Sequence, residues 1–277
     1  MEAQKATLRS SRIRLVGATF AAVGGAFSFV VAGVDLWAFV ALAGFVAALG
    51  AELYITIEHP EKAWYQARAG AESVKTLSWR YSVGADPFFA SLPPSAADNL
   101  FRARVSQVAR QVSESVSLPE GDASSPTPEM QALRTASVTT RRDVYLRDRT
   151  QKQRDWYSKK AKDNRLASMR WRSFLLLAEL IAVVLAAGRL FGDWTVDAAG
   201  ILAAGIAAGA AWLALKQHTT LRAAYALTAA ELEKQMASLR AADDSVWPTS
   251  VADAEEAISR EHTMWLASRG EVNETIG

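Results

Sequence analysis

Cysteine is absent from the 277 residues, and histidine occurs only three times. Without cysteine there is no disulfide framework, no thiolate metal site and no cysteine nucleophile. His59, His218 and His262 lie on separate stretches without clustered carboxylates, so no metal site is expected. The chain has no phosphate-cradling glycine loop, no G-x-S-x-G elbow and no H-E-x-x-H. It offers no catalytic constellation and calls for no cofactor, which makes an enzyme the least supported class. A net charge of +2 implies no nucleic-acid partner. Proline is missing from the long apolar runs, and Thr19 and Ser28 are almost their only midplane polar residues. That counts against a transporter, which needs discontinuous helices around a polar midplane site.

What the chain has is hydrophobic length. Half of its residues are hydrophobic and 22% are charged, so the two kinds must be segregated into apolar spans and charged soluble stretches. Four runs stand out, at about 15–33, 36–57, 174–192 and 195–215. Each approaches the roughly 20 residues that carry a helix across a hydrocarbon core of about 30 Å. A second run follows the first at once and no small-residue cleavage site intervenes, so the first is expected to be retained as a span.

Residues 159 apart repeat one another: Gly33 with Gly192, Gly50 with Gly209, His59 with His218, Ala71-Glu72 with Ala230-Glu231, and Lys75 with Lys234. A fixed period of this kind marks a duplicated unit, here a transmembrane hairpin followed by a polar helical arm. Lysine and arginine flank the outer ends of each pair (Lys5, Arg9, Arg12 and Arg14; Lys62 and Arg68; Arg165, Arg170 and Arg172; Lys216 and Arg222) and nearly avoid the turns within it. By the positive-inside rule both termini face the cytoplasm. Trp37 and Trp194 beside the turns, and Trp64, Trp171 and Trp212 at the other boundary, suit the headgroup layers.

Outside the runs the pattern is helical. Trp64, Ala67, Ala71, Val74, Leu77 and Tyr81 form one apolar stripe, and Leu221, Tyr225, Thr228, Leu232, Met236 and Leu239 another. Both arms are expected to continue directly from the second and fourth spans. After the break at Ser82 to Pro94 a helix is expected over Ala96 to Ser117, and Pro119 to Pro128 reads as the linker between halves. The domains are therefore expected as 1–118, a first hairpin with its arm; 119–128, the linker; and 129–277, a long helix 129–172, the second hairpin, its arm and a C-terminal helix. The long helix would reach about 65 Å at about 1.5 Å per residue, and its apolar positions are so few that it must pack on other arms or break. Ser250-Val-Ala-Asp253 reads as a capping box opening a helix that ends at Gly270.

Three stretches carry a family resemblance. His59 to Tyr81 (HPEKAWYQARAGAESVKTLSWRY) with Val83 to Phe88, Tyr145 to Asn164 (YLRDRTQKQRDWYSKKAKDN) and Glu255 to Trp265 (EEAISREHTMW) closely resemble the SLATT family, in two tandem units. The resemblance implies a bacterial membrane effector, proposed to open pores in response to a nucleotide signal, with a separately encoded nucleotide-signalling protein as partner. No signal-binding domain of the fused kind is recognisable, which leaves nucleotide dependence open.

The expected fold is an all-α membrane protein: four transmembrane helices as two repeated hairpins with long cytoplasmic helical extensions, in the bacterial inner membrane. Glu52, about 7 Å from the inner end of its span, is the candidate pore-lining residue, the alternative being that it snorkels to the interface. Asp35, Asp193 and Asp197 are candidates for an acidic outer vestibule, or else simply solvate the turns. Gly50, Gly200, Gly205 and Gly209 are candidates for close helix packing. His59 and His218 are candidates for a gate or interface, capping or packing being the plainer role. Glu72 and Glu231 are expected to pair along their helices with residues such as Arg68 and Lys234. Four spans enclose little, so a pore requires a homo-oligomer; the partners expected are the chain itself and membrane lipid. The rival reading is a non-conducting scaffold that recruits cytoplasmic partners.

Overall fold

The computed structural model describes residues 2–27, 29–31, 34–58, 60–113, 125–192 and 197–267. The chain folds as two compact units, Met1–Lys62 with Lys162–Arg222, and Ala63–Ala161 with Ala223–Gly277. These units cut across the sequence halves: each takes a piece from both repeats.

The first unit holds the apolar helices. Helix α1 (Glu2–Ala26) and helix α2 (Leu36–Glu58) pack as a hairpin closed by a two-residue ribbon, β1 (Val30–Val31) against β2 (Val34–Asp35), antiparallel with Val30 opposite Asp35. The first helix thus ends short of the expected 33. The chain is turned early because Asp35 accepts hydrogen bonds from the backbone N–H of Trp37 at 2.9 Å and of Phe29 at 3.2 Å, capping α2 and tying down the turn. The hairpin is tight because glycine lines it. A Cβ on Gly44 would lie 2.5 Å from the Gly17 carbonyl oxygen, and one on Gly24 would lie 2.6 Å from that of Trp37.

Two further helices complete this unit. The long helix formed by α6 (Val138–Tyr145), a π-helical turn at Leu146–Gln151 and α7 (Lys152–Phe191) runs without a break into the third apolar run. Helix α8 (Ala198–Lys216) is capped by the Asp197 carboxylate, which accepts from Gly200 N–H at 3.0 Å. Helix α9 (His218–Ala241) follows, but not directly. Gln217 sits in the left-handed region at φ 49°, and its N–H closes the last turn onto the Ala214 carbonyl. The expected direct continuation of the fourth span into its arm is therefore corrected: a one-residue αL cap separates them. The corresponding junction of the second span is at residue 59, outside the described residues.

The second unit is built by α3 (Pro60–Val83), α4 (Pro94–Ser113), α5 (Pro128–Thr135), the N-terminal part of the long helix, the C-terminal part of α9, and α10 (Trp247–Ala267). Helix α5 starts as its sequence dictates, with Thr127 as N-cap and Pro128 at N1. The stretch expected as one helix over 129–172 is two, because Ala136 is extended and Ser137 opens the next helix by accepting from Thr140 N–H. The C-terminal helix begins at Trp247, before the expected capping box. Asp243 supplies the cap instead, accepting from Ser245 N–H at 2.8 Å and Val246 N–H at 3.1 Å. Residues 114–124, most of the expected linker, and Gly270 lie outside the described residues.

The core of this unit is aromatic. Tyr81, Phe88 and Phe101 form one cluster with Ala97 and Val105, and Tyr145, Trp247 and Val251 another with Val83 and Leu239. Between them the broken segment after α3 is folded inward. Gly84 takes φ 69°, and three side-chain donors bind carbonyls of the helix end and of the segment that follows it. Arg134 donates to Tyr81 and Phe88 oxygens at 3.2 and 2.7 Å, Arg141 to Val83 at 2.9 Å, and the Trp247 indole N–H to Val83 at 3.1 Å. Cations at a helix C-terminus also suit its dipole.

Candidate functional site

In the first unit the apolar helices are exposed almost throughout. Phe39, Leu42, Phe45 and Leu49 on α2, and Leu176, Leu180, Val183 and Val184 on α7, present well over two-fifths of their surface. Three helices are long and apolar enough to cross a membrane among the described residues: α2, the long helix ending at Phe191, and the α8–α9 stretch. An apolar surface this extensive needs lipid or protein to cover it.

The candidate residues fall as follows. Glu52 is half-exposed and forms an ion pair and hydrogen bond with Arg14 of α1, so the carboxylate has a cationic partner within its own hairpin. Asp35 and Asp197 serve as helix caps, and Asp197 also pairs with Arg189 at 2.8 Å. Asp193 and His59 lie outside the described residues. His218 Nδ1 is 2.7 Å from Asn164 Oδ1; burial first, and then the Lys216 ammonium, hold its imidazole below the ordinary histidine pKa.

The expected packing glycines are not the ones that the structure uses most. A Cβ added at Gly50 or Gly205 would meet nothing within 4 Å among the described residues, and one at Gly200 would meet the carboxylate of its own cap. Gly209 does face a neighbour, Leu175 of α7, at 3.0 Å. The closest helix approach is made by Gly17, Gly24 and Gly44 in the first hairpin, which sequence reading did not single out. The 159-residue period drew attention to Gly50 and Gly209 because they repeat, but repetition does not report which face is turned inward.

Sequence reading also passed over Glu179. It lies five residues into the third apolar run from Phe174, as Glu52 lies five residues before Ile57 in the second. The two carboxylates therefore stand at similar distances from the charged ends of their spans. The repeat hid this, since the same offset matches Glu179 with Phe20.

The second unit contains a buried polar centre. Glu255 of α10 and Arg149 of the π-helical turn are 0% and 1% exposed, and they meet side-on in two hydrogen bonds, Arg149 Nε to Oε1 at 2.8 Å and Nη2 to Oε2 at 2.7 Å. Tyr145 donates to Oε1 at 2.9 Å and Thr76 of α3 to Oε2 at 2.9 Å, so both carboxylate oxygens are saturated. Burial opposes the Arg149 cation, yet the Glu255 carboxylate more than offsets it and holds its pKa above the ordinary value. Burial, and next the Glu255 charge, push the Tyr145 phenol well up. A π-turn widens the helix by one residue per turn and re-aims the side chain it carries, a feature found often at functional positions. Tyr81 shows the same chemistry nearby: its hydroxyl donates to Asp98 at 2.5 Å, and burial and then Asp98 raise its pKa to about 12.

Thr76, Tyr145, Arg149 and Glu255 come from the three stretches that carry the family resemblance, and the fold brings them to one point. Residues 1–142 match SMODS and SLOG-associating 2TM effector domain 3, and residues 145–265 match SMODS and SLOG-associating 2TM effector domain 1. The chain belongs to the SLATT family. It carries two such domains in tandem, which makes it a membrane-associated effector protein. No curated protein and no solved structure matches it.

The junction between the two SLATT matches falls between Arg142 and Tyr145, within the long helix. Each SLATT repeat thus contributes residues to the same buried centre: Thr76 from the first, and Tyr145, Arg149 and Glu255 from the second. Among the described residues no group of three or more metal-binding side chains occurs. Glu72 Oε2 lies 3.8 Å from the Lys75 ammonium, one turn further along α3.

Proposed function

We propose that this SLATT protein is a homo-oligomeric inner-membrane pore or ion channel, gated by its cytoplasmic helices and acting as an effector of a bacterial defence system. The observation that carries this reading is the bare surface of the apolar helices. Within the apolar windows only 11% of residues on α2, 6% on the long helix and none on α8 are buried in one chain. Lipid covers part of such a surface, and copies of the same chain cover the rest in an oligomer. Four spans are inferred, the first from the apolar part of α1, and the positive flanks support cytoplasmic termini.

Gating is assigned to the long helix. It is the element in which polar residues that belong to the buried Arg149–Glu255 centre and an apolar span share one unbroken backbone, whereas the αL cap at Gln217 separates the fourth span from its arm. A separately encoded nucleotide-signalling protein is the proposed trigger. No catalytic step is assigned.

One observation favours the scaffold reading. Arg14 already neutralises Glu52, so that carboxylate is not free to attract ions. Purified protein in liposomes decides between the two. Cation flux above empty vesicles, together with a defined oligomer in detergent, supports the pore; a sealed vesicle under every cytoplasmic ligand, pH and voltage tried supports the scaffold.

A further inference from the structure

A groove of about 450 Å³ runs along the α1–α2 hairpin, with Ile13, Val16, Gly17 and Phe20 on one side and Phe39 and Gly44 on the other. Gly17 and Gly44 are buried where the two backbones meet and form its floor. Ile13, Val16, Phe20 and Phe39 stand exposed along it. From Ile13 to Phe20 the groove follows α1 for about 10 Å at about 1.5 Å per residue, most of the roughly 15 Å of hydrocarbon in one leaflet.

One end of this groove is cationic. Arg9 and Arg12 stand four residues before Ile13 and Val16, so each lies one turn nearer the start of α1 on the same side of the helix, and both are exposed. Arg14 is answered by Glu52, but among the described residues no carboxylate pairs with Arg9 or Arg12. Instead Arg12 lies 5.2 Å from the centre of the Trp212 ring of α8, and the Lys216 ammonium lies 4.8 Å from the same ring. Burial first, and then the Arg12 charge, hold Lys216 below its ordinary pKa. Cations gathered in this way without an acid are complemented by an anion.

An apolar channel that ends in guanidinium groups matches an amphiphile with a greasy tail and an anionic head. A span of a second copy matches it less well. Copies in one membrane share an orientation, and the spans carry Lys62, Arg165, Arg170, Arg172 and Lys216 at this same boundary, so a second copy would bring further cations to Arg9 and Arg12.

We infer that the first hairpin binds an anionic glycerophospholipid, with one acyl chain in the groove and the phosphate held by Arg9 and Arg12, close to Lys216. Basic pockets between membrane helices take acidic lipid headgroups in this way. A zwitterionic lipid fits worse, since its own ammonium would meet the same cations. The site stands whether or not the protein conducts; only its leaflet follows from the orientation proposed above.

Phosphatidylglycerol titrated into the detergent-solubilised protein, with binding read by native mass spectrometry, tests the site. Wild type should retain it in preference to phosphatidylethanolamine. The double variant Arg9→Gln with Arg12→Gln should bind it roughly thirtyfold more weakly, whereas Arg170→Gln, at the same boundary on α7, should bind as wild type does. Val16→Trp, or the milder Ala43→Leu, should weaken binding by filling the groove with both arginines intact, the melting temperature showing that each variant is folded. Glycerol 3-phosphate, which has the phosphate but no chains, should not compete. Equal retention of the two lipids, an equal loss in Arg170→Gln, full binding in the groove-filled variants or competition by glycerol 3-phosphate would each overturn the site. So would a second copy in the groove: Ile13→Cys adds the only thiol to a cysteine-free chain, and disulfide-linked dimers formed in membranes with copper phenanthroline would show protein where lipid is expected.

Discussion

Arg149 and Glu255, 106 positions apart in the chain, form a two-pronged ion pair with almost no access to solvent. Removing either partner strands a buried charge, which costs about 3–5 kcal/mol. Glu255→Ala and Arg149→Met should each lower the melting temperature of the detergent-solubilised protein sharply. The double replacement Arg149→Met with Glu255→Leu should recover much of that loss, since it leaves no unpaired ion. Additive losses in the double variant would show that the pair is not coupled.

Backbone proximity at Gly44 leads to a second expectation. A side chain there would run into the Gly17 carbonyl, so Gly44→Val should loosen the α1–α2 hairpin, read as faster proteolysis or a lower melting temperature. Gly50→Ala and Gly205→Ala meet open space in one chain. They should leave the melting temperature unchanged or slightly raised, alanine being favoured over glycine in a helix by up to about 1 kcal/mol.

Gly84 makes a third case. Its φ of 69° suits glycine, and an added Cβ would also contact the Arg141 guanidinium that binds the Val83 carbonyl. Gly84→Ala should cost at least about 1–2 kcal/mol from backbone conformation alone. Chemical denaturation of the purified protein, followed by tryptophan fluorescence, measures it.

His218 predicts a pH dependence. Its folded-state pKa is depressed by burial and Lys216, so the unfolded chain takes up a proton first as pH falls. Stability from this group is full above the ordinary histidine pKa of about 6.5 and declines as pH drops below it. Melting temperatures between about pH 8 and pH 5 should fall more in wild type than in His218→Asn, which keeps a polar group beside Asn164. Equal slopes would remove His218 from the account.

Several features were legible without coordinates because they depend on local sequence alone. Apolar runs long enough to span, the polar character of the arms and the family-like stretches are written in periodicity and composition. Boundaries were less legible: Asp35 and Asp243 chose where α2 and α10 begin, and Gln217 where α8 ends, by single hydrogen-bonded turns that periodicity does not register.

The sequence by itself determined that the chain is mostly helical, that its apolar segments suit a membrane, and that it is a tandem SLATT protein, since each follows from runs of neighbouring residues. Tertiary structure alone decided which glycines touch, that Arg14 answers Glu52, and that Thr76, Tyr145, Arg149 and Glu255 converge. The reason is physical: hydrophobic length is additive along a chain, but a close approach or a buried ion pair exists only where two distant segments present complementary atoms at hydrogen-bonding distance.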